Sequence, residues 1–397
     1  MITKFCLLGV LDRFILIHAV LVIFFAHIGL TPALIGMILS GYEIGKIFGD
    51  SMCGTIADKY GRKNVIIFGF IIKAISILSF VFVPGMISCF IGTMMIGFGR
   101  SGTSNIESYM YDEFKSNKID EHFKSALALK SIMSNVGASL GGYAASFLYK
   151  LNGFNGIFIT SSLVMLFISI PYVIFFLKDH KEYTLKNTDH NLIKIIHKGL
   201  SYLKQNLYIG LSIVIVSIFY STYIIYTDTN KMIMNDIGLS PDFIAKIYAI
   251  AHIFPIITTS VFLIFRPGLL IRAIIILSSI IWLGIGLTAF LFYGNATVAA
   301  ILFFLLLFPI FDTCIRDNMH RLIKDSSIRS TIVSFSHLIS SMINIFASLC
   351  IGFIAEKSSY ANSLIFFSIF IIIFTFVILF LQRFTLNKKR IKYRSIT

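Results

Sequence analysis

Glu43, Lys46 and Asp50 stand at i, i+3 and i+7 in an otherwise apolar or small-residue segment, a spacing that lines them along one helical face. An acid–base–acid ladder neutralises most of its own charge and still leaves one carboxylate able to take up a proton. The same set would serve equally as a static stripe of ion pairs against another helix. Other ionisable residues occupy similar settings. Asp12 and Arg13 adjoin in the first apolar run, Arg100 and Glu107 lie at i and i+7 in the fourth, and Asp228 and Asp312 follow in the second half. The Arg13 stem is long enough to snorkel to a polar surface, and Asp312, one turn before Arg316, suits a local ion pair equally well.

The remaining candidates carry less chemistry. His18, His252 and His337 lie in apolar runs and read as packed or hydrogen-bonded histidines. Tyr220, Tyr223 and Tyr226 could line a pocket for an aromatic cargo, and an interfacial aromatic belt would equally explain at least Tyr226. Gly137, Gly141 and Gly142 read as a close helix contact. No nucleophile elbow, phosphate-binding glycine loop or HExxH motif is present, so no enzyme, catalytic residue or cofactor is expected. The five cysteines are scattered through apolar runs without ligand spacing, so neither a metal site nor a disulfide framework is expected.

The elements that must hold these groups follow from composition. Of 397 residues, 57% are hydrophobic and 13% charged, against roughly 25% charged in ordinary soluble domains. A soluble core cannot hide that much apolar surface, but a bilayer can, at about 20 apolar residues per span. Polar, Pro and Gly punctuation places spans at 5–29, 33–57, 64–83, 86–110, 125–149, 155–177, 207–230, 242–265, 270–293, 296–316, 329–355 and 361–383. Connections after the odd-numbered spans 1, 3, 5, 9 and 11 are tiny or charge-poor. Those after spans 2, 4, 6, 8 and 10, with the termini, carry 25 Lys and Arg, while only Lys150, Lys231 and Lys357 fall on the other side. That asymmetry puts both termini in the cytoplasm and absorbs nearly all of the net charge of +15, so nucleic-acid binding needs no separate hypothesis.

The longest polar stretch falls midway. It divides the chain into a six-helix bundle over 1–177, a cytoplasmic linker over 178–206, and a second six-helix bundle with a basic tail over 207–397. Within the linker, Leu192, Ile193, Ile195, Ile196, Leu200 and Leu203 recur at helical spacing beside Lys194, His197 and Lys198, the pattern of a helix lying on the inner membrane surface. The expectation is an all-α membrane protein of twelve transmembrane helices in two six-helix bundles, with any substrate site between the halves near the midplane.

Between the second and third spans stands Gly54-Thr-Ile-Ala-Asp58-Lys-Tyr-Gly61-Arg62-Lys63. Gly54 would let two helices approach, Gly61 would allow a left-handed turn, and Arg62 could fork onto a carboxylate. The run resembles the signature loop of the major facilitator superfamily, in the same topological slot. The stretch Ile106-Glu107-Ser-Tyr-Met-Tyr-Asp112-Glu113 after Arg100 also resembles a fourth-span pattern of its drug-exporter-like members. The resemblance implies the major facilitator fold and a cytoplasmic gate. Asp58 would meet the start of the eleventh span near Arg329 and Ser330, and Arg62 would pair with Asp112 or Glu113. The equivalent loop of the second half, Phe265-Arg266-Pro267-Gly268, lacks the Asp and the Gly-Arg-Lys run.

Intramembrane charges cost about 2.5–3.5 kcal/mol on insertion scales, which makes each a functional candidate. Asp12, Glu43, Lys46, Asp50, Arg100, Glu107, Tyr220, Tyr223, Asp228 and Asp312 are therefore assigned to proton coupling or the substrate cavity. The expected function is secondary active transport of a small organic solute by alternating access, as proton-coupled efflux of amphipathic compounds. A proton-coupled importer of a nutrient or siderophore, and a non-transporting sensor or scaffold, are the alternatives. The expected setting is a bacterial inner (plasma) membrane, with the lipid bilayer, protons and a small molecule as partners and a monomeric state.

Overall fold

Proline and glycine set the ends of the helix that bears the charged ladder. Pro32 opens it in the first turn, where a missing N–H leaves nothing unpaired, and Thr31 precedes it in extended conformation. Gly61, at φ 89°, ends it in the region that disfavours a side chain, and its N–H bonds the Ala57 carbonyl at 2.9 Å. In the computed structural model the backbone is described for residues 1–178, 201, 207–257, 287, 291, 294, 296–303, 305 and 326–394.

Every regular element among these is helical. The first half holds α1 (Ile2–Arg13), α2 (Leu21–His27), α3 (Pro32–Tyr60), α4 (Arg62–Phe82), α5 (Met86–Ser116), α6 (Phe123–Val164) and α7 (Ile170–Phe176). The second holds α8 (Leu207–Asp236), α9 (Pro241–Ala251), α10 (Ser326–Lys357) and α11 (Tyr360–Arg394). Among the described residues, five helical stretches are long and apolar enough to cross a membrane. Nearly all of the surface-lying linker helix and of the ninth span, and most of the tenth, lie outside the described residues.

Two expected boundaries change. The first span is not one helix: α1 stops at Arg13, Phe14 and Ile15 leave helical geometry, and a 3-10 turn over Leu16–Ala19 leads into α2. Non-helical backbone at membrane depth is tolerated where it is buried in protein or lines a cavity. Conversely, the loop expected between the fifth and sixth spans shrinks to two non-helical residues inside α6, Asn152 and Gly153 (φ 61°).

Small residues bring the helices of the first half together. A Cβ on Gly45 would fall 1.8 Å from the Met94 carbonyl oxygen, so α3 and α5 cross backbone against backbone. Gly41, Gly45 and Gly49 share that face. At about 100° per residue, Glu43, Lys46 and Asp50 then point roughly the opposite way. Below the broken first span, Phe24, Phe25, Phe80, Phe154 and Phe158 form a buried cluster, with Phe24 edge-on to Phe158 at 4.7 Å. It fixes α2 against α4 and α6.

The halves meet through α3 with α10, α6 with α9, and α2 with α8. Contact is tightest at the end carrying Thr31 and Glu356, called here the far end. A Cβ on Gly36 would come within 2.3 Å of the Ser348 carbonyl oxygen, and Gly142 of α6 abuts Ala245 and Ala249 of α9. The opposite end carries Lys4, Lys59, Arg62 and Lys63 and is called here the basic end.

Candidate functional site

A cavity of about 850 Å3 lies between the halves, walled by the broken first span, α3 and α5 on one side and α8, α9 and α10 on the other. Its wall runs along α3 from the far end to Ala57 and Arg62 at the basic end. Of the residues expected at the site, Glu43, Lys46, Asp50, Gly54, Arg62, Arg100, Tyr220, Tyr223 and Asp228 line it.

The first polar centre sits in the first half, behind the cavity wall. Asp12, only 2% exposed, accepts from Arg100 Nη1 at 2.7 Å through Oδ2 and pairs with Lys73 Nζ at 3.4 Å through Oδ1. Lys73, 1% exposed, also donates to Thr103 Oγ1 at 3.2 Å and lies over the Phe70 ring. Adjacent residues of a helix point about 100° apart, so at the end of α1 Asp12 turns into the bundle while Arg13 faces the cavity.

The second centre joins the halves. Glu43, 2% exposed, accepts from Lys46 Nζ at 3.4 Å and, across the interface, from Asn344 Nδ2 of α10 at 2.9 Å. Lys46 also reaches Ser341 Oγ at 3.2 Å, while its carbonyl accepts from Ser101 Oγ at 3.1 Å. Asp50, two turns nearer the basic end, is exposed to the cavity. The ladder is therefore split: its upper carboxylate is pinned and its lower one open. A third contact crosses between α8 and the broken span, where Lys231 Nζ donates to Asp228 Oδ1 and to the His18 carbonyl, each at 2.8 Å. Lys231 thus belongs to a buried helix face and not to a polar connection, as its position near the end of the seventh span suggested.

At the basic end, Arg62 Nε lies 2.7 Å from Asp112 Oδ2. Glu113, the other acid considered for Arg62, is buried and pairs with Lys4 instead. The side chains of Asp58 and Arg329, and all of Asp312, lie outside the described residues. At the far end, Glu356 Oε2 accepts from Thr31 Oγ1 and from the Ala33 N–H, each at 3.0 Å. A carboxylate of α10 thereby caps the N-terminus of α3 in the other half.

Two expectations need correcting. Glu107 is not part of the cavity wall: although it shares a face of α5 with Arg100, it is exposed and pairs with Lys130 of α6 at 3.0 Å. Tyr226 is no interfacial belt residue but is fully buried, its hydroxyl bonded to Ser368 of α11. His252 fits the expectation of a packed or hydrogen-bonded histidine, and the structure adds where it and His18 lie. Both line the cavity, and His252 Nδ1 lies 3.4 Å from Asn135 Oδ1 in the other half.

Sequence reasoning missed Lys73, Asn344, Ser341 and Glu356. Lys73 carried a readable signal, being the only charge in the middle of the third apolar run. Asn344 and Ser341 carried none, since small polar residues are scattered through most spans.

A family model described as Major Facilitator Superfamily matches residues 6–323. Among curated proteins, an uncharacterized transporter of Rickettsia bellii is 29% identical over 103 residues, 26% of each chain. The uncharacterized MFS-type transporter YwoD of Bacillus subtilis is 26% identical over 148 residues, 37% of this chain and 30% of that one. The quinolone resistance protein NorA of Staphylococcus aureus is 25% identical over 142 residues, 34% and 35% of the two chains. The chain thus spans about a quarter to a third of the length of these relatives.

Solved structures match over nearly full length. The nucleoside transporter NupG has TM-score 0.74 at 14% identity, covering 95% of this chain and 98% of that one. The xylose transporter XylE from E. coli, in an inward open conformation, has TM-score 0.65 at 12% identity, covering 96% of each. At such identities the likeness speaks for the fold alone. Together with a sequence match running from the first helix into the second half, it leads to one conclusion: the chain is an integral membrane protein that belongs to the Major Facilitator Superfamily, a family of transporters and not of enzymes.

Proposed function

We propose that the protein is a proton-coupled secondary transporter that exports amphipathic organic compounds by alternating access between its two halves. The observation that carries this reading is the uneven closure of the cavity. At the far end the Gly36 backbone meets that of Ser348 and the Thr31 and Glu356 side chains bond each other, and Glu43 meets Asn344 part-way along the cavity wall, while Asp50 stays exposed toward the basic end. That is the shape expected of an inward-facing state if the basic end is cytoplasmic, as the charge asymmetry implies. In the alternate state Asp58 would meet the start of α10 near Arg329, and the Arg62–Asp112 pair would hold the signature loop in place.

Asp50 is the carboxylate suited to carry the proton, because Glu43 is already engaged by two donors. The likeness to a quinolone resistance protein supports the direction, and the tyrosines of α8 support an amphipathic cargo. Proteoliposomes with an imposed pH gradient test the reading. Solute movement should follow the gradient in the wild type. Asp50→Asn should abolish the gradient-driven component and retain solute–solute exchange. Gradient-driven movement undiminished in Asp50→Asn removes Asp50 from coupling, and no movement of any compound removes the transporter reading.

A further inference from the structure

The charges around the break in the first span do not balance. Arg13, Arg100 and Lys73 are three cations, and the carboxylate among them, Asp12, is already shared by Arg100 and Lys73. The Arg13 guanidinium makes no hydrogen bond or ion pair among the described residues, yet Arg13 is the last residue of α1, in the interior of the protein, with its side chain exposed to the cavity. Arg13 and Arg100 line the same cavity as like charges. The carboxylates on the cavity wall do not answer them: Glu43 is held by Lys46 and Asn344, Asp228 by Lys231, and Asp50 lies toward the basic end. An unpaired guanidinium at membrane depth is expensive unless something neutralises it. Among the described residues, relief comes from the negative end of the α1 dipole, which amounts to a fraction of a charge, and from neighbouring Asp12, whose carboxylate is already shared.

Beside these cations the wall is aromatic. Tyr42 of α3, Tyr220 and Tyr223 of α8 and Tyr248 of α9 line the same cavity and offer ring faces, with hydroxyls at their tips. We infer that the cavity binds an aromatic or amphipathic organic anion, its oxyanion held by Arg13 with Arg100 beside it and its apolar body against the tyrosines. This rests on the transporter reading and narrows its cargo from amphipathic compounds in general to anions. A planar guanidinium accepts a carboxylate or a phosphate ester by the same two-pronged geometry, so the shared chemistry is an oxyanion on an organic frame.

Equilibrium binding to the purified full-length protein in lipid nanodiscs tests the inference without requiring transport. The probes are indole-3-acetate, tryptophol and tryptamine, which put an anion, a neutral alcohol and a cation on one ring system, together with phenyl phosphate as the second oxyanion. At least one of the two anions should bind about ten-fold or more tightly than tryptophol or tryptamine, the scale of one charge-assisted hydrogen bond. Which anion binds separates a carboxylate site from a phosphate site. Arg13→Gln should erase the preference by weakening the anion while tryptophol is unchanged, and Arg13→Lys should keep a reduced preference. If neither anion outbinds tryptophol in the wild type, or if the preference survives intact in Arg13→Gln, the inference is wrong. The wild-type comparison decides even where a variant fails to fold. Anion-selective binding without movement in proteoliposomes would instead overturn the transporter reading and leave this one standing.

Discussion

Replacing Asn344 by Ala removes the hydrogen bond that ties α10 to the buried carboxylate of Glu43. The amide Nδ2 lies 2.9 Å from Glu43 Oε1, and neither residue has appreciable access to water in this state. A hydrogen bond to a charged group contributes about 1.5–3 kcal/mol. When the halves separate at the far end, water reaches Glu43 and supplies the missing donor, so the substitution destabilises the closed far end selectively. At 1.4 kcal/mol per factor of ten, the equilibrium should move by roughly 10- to 150-fold toward the open far end. Double electron–electron resonance can read this between spin labels at Val83, after α4, and Lys357, at the end of α10. Both are exposed, at the far end, and on opposite halves. The native cysteines Cys6, Cys53, Cys89, Cys314 and Cys350 are first replaced. The wild type should give one short distance, and Asn344→Ala a dominant or strongly enlarged long component. Glu43→Gln should shift the population in the same direction, and the double variant should add little to either single one. A distance distribution identical in wild type and Asn344→Ala, with the protein folded, would refute the idea that this contact holds the halves together.

Other outcomes follow from the same geometry. Asp12→Asn leaves Arg100 and Lys73 without their carboxylate and should cost about 3–5 kcal/mol, read as a lowered Tm in detergent; adding Lys73→Met should restore part of it. An unchanged Tm in Asp12→Asn would mean that the buried cluster is not a structural unit. Gly45→Val should prevent α3 from crossing α5 and lower stability by about 1–3 kcal/mol or more, because the obstacle is the Met94 backbone and not a movable side chain; wild-type stability there would contradict the crossing. Glu356→Gln should open the far end less than Asn344→Ala does, by about five-fold at most, since the carboxylate is exposed and its dipole term is about 0.3–1 kcal/mol. The same pair of labels measures it, and an effect exceeding that of Asn344→Ala would reverse the assigned order of the two contacts.

Much of this architecture is legible before any coordinates, for reasons that differ from element to element. The helices α3, α4 and α5 announce themselves because Pro32, Gly61 and Pro84-Gly85 punctuate uninterrupted apolar runs, and a span must be long to cross lipid. The charged face of α3 is readable because Gly41, Gly45 and Gly49 leave only the opposite side for Glu43, Lys46 and Asp50. The break at Phe14 is not readable: no Pro or Gly marks it, and it depends on tertiary packing around Asp12 and on α6 pressing against Val10. Arg100 and Glu107 share a helical spacing but not a fate. A seven-residue interval drifts only about 20° around the helix, so the two stay on one face, and it is the ion pair with Lys130 of α6 that takes Glu107 out of the cavity. Asn344 and Glu356 were invisible for a plainer reason. Their importance comes from what stands across the interface, and a sequence does not show its own partners.

The distribution of charge across that interface has a consequence for motion. Among the described residues, the ion pairs of the interior close within one half: Asp12 with Arg100 and Lys73, Glu43 with Lys46, Asp228 with Lys231. The interior hydrogen bonds that cross between halves at Glu43, Lys46, Lys231 and His252 hold at most one charge each: Glu43 with Asn344, Lys46 with Ser341 and Lys231 with the His18 carbonyl set a charge against a neutral group, and His252 meets the Asn135 amide. An inter-half ion pair, Lys150 with Asp242 at 3.5 Å, joins a lysine more than half exposed to the solvent end of α9. Separating a buried ion pair strands two charges and costs several kcal/mol for each, which would lock one conformation. Separating a charge from an amide, hydroxyl or carbonyl leaves that charge still paired within its own half and costs only the hydrogen bond. Two or three such bonds amount to a few kcal/mol, the scale over which a bound solute or a single proton can reverse a population. The halves are therefore held firmly enough to close and loosely enough to part, because the strong electrostatics have been kept inside each of them.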